Sequence, residues 1–398
     1  MSGMEKSFNY SSGSELVTTQ PRHFYLDWLR VIVILNLIPF HVAWMMIFVP
    51  GFADIPPHSI VAKGLSMYMN VIAGMHMPLL FLISGYSSAV ALQKKTTILY
   101  LRERLQRLIL PLISFILLLS PVFHYFWPNA IPEYSFNHFI FKFLPNFLTT
   151  AFNGNGGVPR WAHLWFVGYL SLFTLISLPL FLSWKNSLAL GKITKLFSTP
   201  VGIFIPILLF TFTSTLGLIW PIAPPNNLLG DWAYFSYNLI AFLLGYIIFL
   251  DKKIEYKINK YLRLWLFFWS IVIVIILALN IDFITVFSTP TFNGKFFLCC
   301  LLLGLNTWFG IAATFGLAKK YLCFSNAFLS YMSRGSYMYY ILHLVVLVIV
   351  GRFTPRPEGV FSEFLLLSFL TLAWTAFVYE CIFKRLAILR WLFGIKSS

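Results

Sequence analysis

Charge is what this chain has least of. Only 11% of its 398 residues are Asp, Glu, Lys or Arg, while 59% are apolar. A soluble domain is about 25% charged over its whole chain, so a soluble class is excluded. Cysteine is scarce as well: Cys299 and Cys300 are adjacent inside an apolar run, and Cys323 and Cys381 lie near helix ends. That spacing makes neither a disulfide framework nor a thiolate metal site, and the four are expected to act as packing residues. Carboxylates number 13 against 29 basic residues, for a net charge of +16. In a soluble protein that excess would suggest nucleic acid. In a polytopic one it reports Lys and Arg held in cytoplasmic loops, and no nucleic-acid partner is expected. A cleavable leader is not visible, because the first apolar run starts only after Arg22 and is too long for the core of a signal peptide. No inverted repeat of the kind that marks many transporters is apparent either.

What is present is hydrocarbon. Runs long enough, or nearly so, to cross a bilayer fall at 28–49, 64–92, 108–126, 162–183, 201–220, 232–250, 262–279, 296–318, 336–350 and 361–382. The second is interrupted by Gly74 and Pro78 and is expected to tilt or kink, and the ninth extends back if Tyr331 and Met332 join it. The expected fold is an all-α membrane protein, a polytopic bundle of about ten transmembrane helices. Residues 1–22 form a short flexible tail, 23–385 the transmembrane domain and 386–398 a C-terminal tail. Basic residues alternate between the loops. Lys63, Lys142, Arg160, Lys295, Arg352 and Arg356 fall on one side, and all the others except Arg30 fall on the opposite side. By the positive-inside rule both termini are cytoplasmic. The segment from 127 to 161 is then the longest outer loop. Its aromatic middle (Phe136, Phe139, Phe141, Phe143) suits a short helix on the membrane surface, broken by Asn153-Gly154-Asn155-Gly156-Gly157.

Against this background the first span stands out, because Asp27, Arg30 and His41 lie along it. At about 100° per residue, the eleven positions from Arg30 to His41 make three turns plus roughly 20°, so both leave one face. They are about 16 Å apart along the axis, which puts His41 near mid-bilayer if Arg30 marks the boundary. Arg30 is explained equally well by snorkelling. Asp27, one turn earlier, can orient the guanidinium but is too far to orient His41. His76 and His343 come to a depth similar to that of His41. Three histidines at one level read as a polar cavity in which an imidazole takes a proton from a hydroxyl, or as interhelical hydrogen bonds. A zinc site would want a Cys, Asp or Glu at that depth, and with none there no metal is expected. At the mouth of the third span, Arg104 and Arg107 are three apart. On an α-helix they point the same way, and paired guanidiniums suit phosphate or pyrophosphate. No Ser-His-Asp arrangement is visible, so a serine acyl-enzyme is not favoured.

These residues carry a resemblance. Leu26-Asp27 and the ten residues between Arg30 and His41 resemble the first-span Arg-x10-His motif of the acyltransferase-3 family of integral-membrane acyltransferases. Met77-Pro78-Leu79-Leu80-Phe81-Leu82-Ile83-Ser84-Gly85-Tyr86 is similar to the family's FF-x-x-SGF segment, and Arg104-x-x-Arg107 to its RxxR element. His163-Leu164-Trp165-Phe166 looks like its HLW segment, and Ser336-Tyr337-x-Tyr339-Tyr340-x-x-His343 like its S-Y-x-x-Y-x-x-H segment. The Met-Pro-Leu and His-Leu-Trp variants look closest to the branch of periplasmic glucan succinyl-modifying enzymes. The family's W-S-L-x-x-E segment departs here: Trp165-Phe166-Val167-Gly168-Tyr169-Leu170 has no carboxylate.

The resemblance implies an O-acyltransferase in the plasma membrane, bacterial inner membrane by type. It moves acetyl or succinyl from cytoplasmic acyl-CoA, a donor substrate rather than a resident cofactor, to a hydroxyl of a surface or periplasmic carbohydrate. His41 is then the general base and Arg30 its catalytic companion. Arg30, Arg104 and Arg107 face the CoA phosphates, and His76, His343 and Trp165 are candidates for binding the acceptor. The competing reading is a multi-pass glycan or lipid transporter whose mid-span histidines line a path.

Overall fold

The computed structural model describes residues 23–53, 55, 59–128, 135–152, 160–184, 188–220 and 230–395. The N-terminal tail, the break at 153–157, Lys185 and Lys396 lie outside them. Among the described residues every regular element is a helix. Eight helices are long and apolar enough to cross a membrane, up to ten if each of two bent pairs counts as one span. In chain order we label α1 Phe24–Phe48, α2 Ile60–Ala73, α3 His76–Lys94, α4 Thr97–Tyr125, α5 Trp165–Trp184, α6 Gly202–Leu218, α7 Trp232–Leu250, α8 Leu262–Ala278, α9 Gly294–Tyr321, α10 Ala327–Phe353 and α11 Val360–Phe383. All ten expected runs are present, α2 and α3 making one broken span. The chain is a multi-pass membrane protein. α6 and α8 are the short ones, bent by 92° and 65° from a short helix ahead of each. Pro200 sits in the first of these bends, where the ring denies the backbone a donor.

Helix starts are written locally. Ser59, Thr96, Asn293 and Asn326 each accept a hydrogen bond from a backbone N–H three residues on, satisfying one of the donors a helix leaves open. α1, α9 and α10 lie at the centre, with α3 packed on α7 and α6 and α8 packed on α9. α11 leans on α1 and α10 and turns Phe361, Leu365, Phe369, Trp374 and Phe377 outward, an apolar face suited to lipid. The aromatic segment of the long loop is helical as expected: Phe136–His138, Phe139–Phe143 and Leu144–Thr149 run on from one another. Phe136 and Phe141 are exposed there, while Phe139 and Phe143 pack on Tyr125. The cysteines divide. Cys299 and Cys300 are buried packing residues, whereas Cys323 and Cys381, near helix ends, are exposed.

The expected interruption of the second span falls at Gly74-Met75, and α9 repairs it. Pro78 has no N–H for the Gly74 carbonyl, and Thr307 Oγ1 donates to that oxygen instead, at 2.5 Å. Met75 N–H turns to Ile72 O, freeing Val71 O, which accepts from Asn306 Nδ2 at 2.9 Å. Tyr237 hydrogen-bonds Thr307, and Trp269 donates to Asn306 Oδ1 at 2.9 Å, so both repairing side chains are held from behind. A carbonyl stranded in an apolar interior costs about 1–3 kcal/mol. Thr307→Val and Asn306→Leu are therefore each expected to destabilise by that amount, read as a lower unfolding midpoint of the purified protein, while Thr307→Ser is close to neutral.

Candidate active site

His41 lies on α1, His343 on α10, and His163 in a short turn (Ala162–Leu164) that leads into α5. The three rings form one cluster, with centroids 5.0 Å apart for His41 and His343, 4.9 Å for His163 and His343, and 6.4 Å for His41 and His163. His343 and His163 are buried, whereas His41 is half-buried and is the one of the three with an open side. Ala162 adopts φ 46°, left-handed backbone that an alanine rarely takes, in the turn that carries His163.

The partners fix the tautomers, because a backbone carbonyl only accepts. His343 Nδ1 lies 2.7 Å from Tyr340 O and 3.1 Å from Tyr339 O, so it carries the proton and leaves Nε2 as a lone pair. His41 Nδ1 lies 2.9 Å from Leu37 O and 3.2 Å from His343 Nε2, so it is also protonated and donates to both. The remaining nitrogen of His41, Nε2, is then an unprotonated base. His163 Nε2 donates to Tyr340 O at 2.9 Å and Ile341 O at 3.1 Å, leaving a buried Nδ1 without a hydrogen bond. Tyr340 ties the cluster together by donating its hydroxyl to His163 O at 2.5 Å.

His76 is not the third member of the group. Its Nδ1 donates to Ile72 O at 2.7 Å, capping the break before α3, and its ring packs on Phe40 at 4.7 Å. The seat assigned to it by depth belongs to His163. The sequence signal for His163 was the His-Leu-Trp stretch, in which Trp165 alone was singled out. Trp165 is half-buried and packs against Tyr169 and Tyr234, at centroid distances of 5.4 and 5.2 Å. Beside it is a residue that sequence reasoning missed. Tyr169 donates its hydroxyl to Asp231 Oδ2 at 2.9 Å, which sets a carboxylate from the turn before α7, buried at 3% exposure, against the Trp165–Leu170 stretch.

The arginines gather at one end of the bundle. Arg30 is salt-bridged to Asp27 at 3.6 Å. Arg104 Nη2 donates to Ser88 Oγ near the end of α3 at 2.9 Å, and its guanidinium lies over the Tyr100 ring. The expectation that Arg104 and Arg107 point the same way fails. A π-turn over Leu105–Ile109 follows Arg104 directly, and its i→i+5 bonds hold more residues per turn and open the angle between the two. Arg104 is half-buried and Arg107 exposed. The same end holds Glu255, buried, accepting from Tyr25 Oη and Lys319 Nζ at 2.7 Å each. Burial lowers the pKa of His23 at the start of α1, and the Tyr86 hydroxyl meets its Nε2 at 3.5 Å.

One helix, α1, thus carries both Arg30 at the basic end and His41 in the histidine cluster. The chain matches the model of the acyltransferase-3 family, described as an acyltransferase domain, over residues 23–380. It belongs to that family. No curated protein and no solved structure shows a significant match to it. Membership of the acyltransferase-3 family makes this a membrane-embedded acyltransferase. The Arg30–His41 helix, the Ser84-Gly85-Tyr86 stretch of α3 and the histidine of α10 all fall inside the matched residues.

Proposed function

We propose that this acyltransferase moves an acetyl or succinyl group from acyl-CoA on the cytoplasmic side to a hydroxyl of a periplasmic or cell-surface carbohydrate, with both termini in the cytoplasm. The observation that carries the reading is the lock on His41. Its Nδ1–H is shared between Leu37 O and His343 Nε2, so its basic Nε2 is the atom left for a substrate. In the reaction, Nε2 removes the hydroxyl proton as the oxygen attacks the thioester carbonyl. The tetrahedral intermediate then expels the CoA sulfur, and the imidazolium returns the proton to that thiolate. His343 does for His41 what a carboxylate does in a serine hydrolase, fixing the tautomer and accepting from the imidazolium. It is a positioning residue on this reading rather than an acceptor ligand, and His76 is a helix cap. Trp165, with Asp231 and Tyr169 beside it, remains the candidate for contact with the carbohydrate. Arg30, steadied by Asp27, and Arg104 serve the phosphates of CoA, with Arg107 outside them in solvent reach. The basic loops that share their end of the bundle support placing that end in the cytoplasm.

Purified full-length protein in phosphatidylcholine nanodiscs, given radiolabelled acetyl-CoA or succinyl-CoA and envelope carbohydrate, tests this. Release of the free CoA thiol with label in the carbohydrate is the expected result. Passage of carbohydrate across proteoliposomes with no CoA consumed would overturn it in favour of the transporter.

A further inference from the structure

One buried imidazole takes no step in the reaction. His163 is closed to a substrate, because its one unprotonated atom, Nδ1, is buried and makes no hydrogen bond. The chain nonetheless gives something up to place it there. Ala162, in the turn that presents it, holds a strained φ of 46°, and Nδ1 has left water without gaining a donor. What the ring supplies in return is at Nε2.

That nitrogen donates to Tyr340 O at 2.9 Å and Ile341 O at 3.1 Å. Tyr340 O is also the nearer acceptor for Nδ1–H of His343, at 2.7 Å against 3.1 Å for Tyr339 O. Two imidazole N–H groups therefore converge on one carbonyl oxygen. The rings touch as well: His163 meets His343 at 4.9 Å between centroids and 76° between planes, and Phe115 packs on His163 at 5.3 Å. Tyr340 donates its hydroxyl back to His163 O, so turn and helix hold each other in both directions. This matters because the last torsion of a histidine has broad, roughly two-fold wells, and its neighbours decide which way the ring faces. Only with Nδ1–H on those carbonyls does His343 offer Nε2 to the Nδ1–H of His41, at 3.2 Å.

We infer that His163 is a positioning residue for acyl transfer, bracing His343 through Tyr340 O and by ring contact so that His343 stays in line with His41. This rests on the acyl-transfer reading, in which His41 is the base. The competing role is a plain tie between α5 and α10, which would show in stability and not in the chemical step.

Amide side chains separate the two nitrogens of His163. Glutamine sets its amide nitrogen near the place of Nε2 and can still donate to both carbonyls, whereas asparagine sets its own near that of Nδ1, short of α10. The full-length protein in phosphatidylcholine nanodiscs is given acetyl-CoA or succinyl-CoA and envelope carbohydrate. His163→Asn is expected to lower kcat about 10–100-fold with KM for acyl-CoA unchanged, the scale of a small misplacement near reacting groups, and His163→Gln to stay within about threefold of the unmutated protein. Where asparagine leaves too little folded protein, His163→Phe, with a ring but no donor, carries the same expectation as asparagine. In a His343→Ala background, which has nothing left to brace, replacing His163 is expected to cost less than about twofold more. Ring nitrogen chemical shifts of His343 are read without turnover. They are expected to report one Nδ1-protonated tautomer in the unmutated and His163→Gln proteins and a mixture in His163→Asn. Full kcat in His163→Asn, His163→Gln as slow as His163→Asn, an equal penalty without His343, or His343 shifts left unchanged by His163→Asn each overturn the inference. A protein with the expected shifts that consumes no acyl-CoA sinks the enzymatic reading alone.

Discussion

Replacing His41 by alanine is expected to lower kcat for acyl transfer by about 10²–10⁴-fold, the usual contribution of a positioned general base, with affinity for acyl-CoA unchanged. The reason is geometric. Of the three clustered imidazoles, His343 spends its Nδ1–H on carbonyls of its own helix and its Nε2 on His41, and His163 spends its Nε2–H on α10. His163 also keeps an unspent Nδ1, but that atom is buried, whereas His41 combines an unspent basic nitrogen with partial exposure. His343→Ala is expected to fall in the same range, because without it the Nδ1–H of His41 keeps only the Leu37 carbonyl and the imidazolium loses its acceptor. The double variant should be scarcely worse than either single one, since groups that act as a unit are strongly non-additive. Initial rates of CoA release, together with an unchanged unfolding midpoint, decide the matter. A His41→Ala protein with full activity would end the proposed mechanism.

How much of this site was legible beforehand depended on how local each feature is. The rotation and rise between Arg30 and His41 follow from helix geometry within one apolar run, and the structure keeps both on α1 with Asp27 on the guanidinium. The break in the second span was marked by Gly74 and Pro78 in the chain itself. What failed was everything that depends on a neighbour. His76 and His163 are both histidines near a helix start, and depth counted along the chain favoured His76. Only the packing shows that the turn at Ala162–Leu164 dips inward to hand His163 to the carbonyls of α10. Arg104 and Arg107 were separated by a π-turn, for which a stretch such as Leu105–Ile109 has no sequence mark. Asp231 lies 62 residues from Tyr169, so no motif within α5 could have named it.

The larger structural effect is expected at the crossing of α3 and α7. A Cβ on Gly85 would sit 1.9 Å from the Phe242 carbonyl oxygen, and one on Gly245 would sit 1.9 Å from that of Leu82. The contact is reciprocal, each glycine resting on the backbone of the other helix, as small residues do where membrane helices touch. A methyl group has no flexible neighbour to displace, because the obstruction is main chain, so the two helices must part. Ordinary overpacking costs about 1–3 kcal/mol, and moving two backbones apart belongs above that range. Gly85→Ala and Gly245→Ala are each expected to lose most of the folded protein on purification. Combined they should cost less than their sum, since either one opens the same gap. The damage also has a route to the site: Phe81 of α3 packs on Phe166 at 4.5 Å, and Phe166 on Tyr340 at 5.8 Å, one turn from His343. Gly64 and Gly191 supply the comparison, for a Cβ at either meets nothing within 4 Å. Alanine there should be neutral or stabilising by about 0.4–1 kcal/mol through the unfolded chain. Unfolding midpoints of the four variants test the claim, and a Gly85→Ala protein as stable as Gly64→Ala would show that α3 and α7 do not meet backbone to backbone.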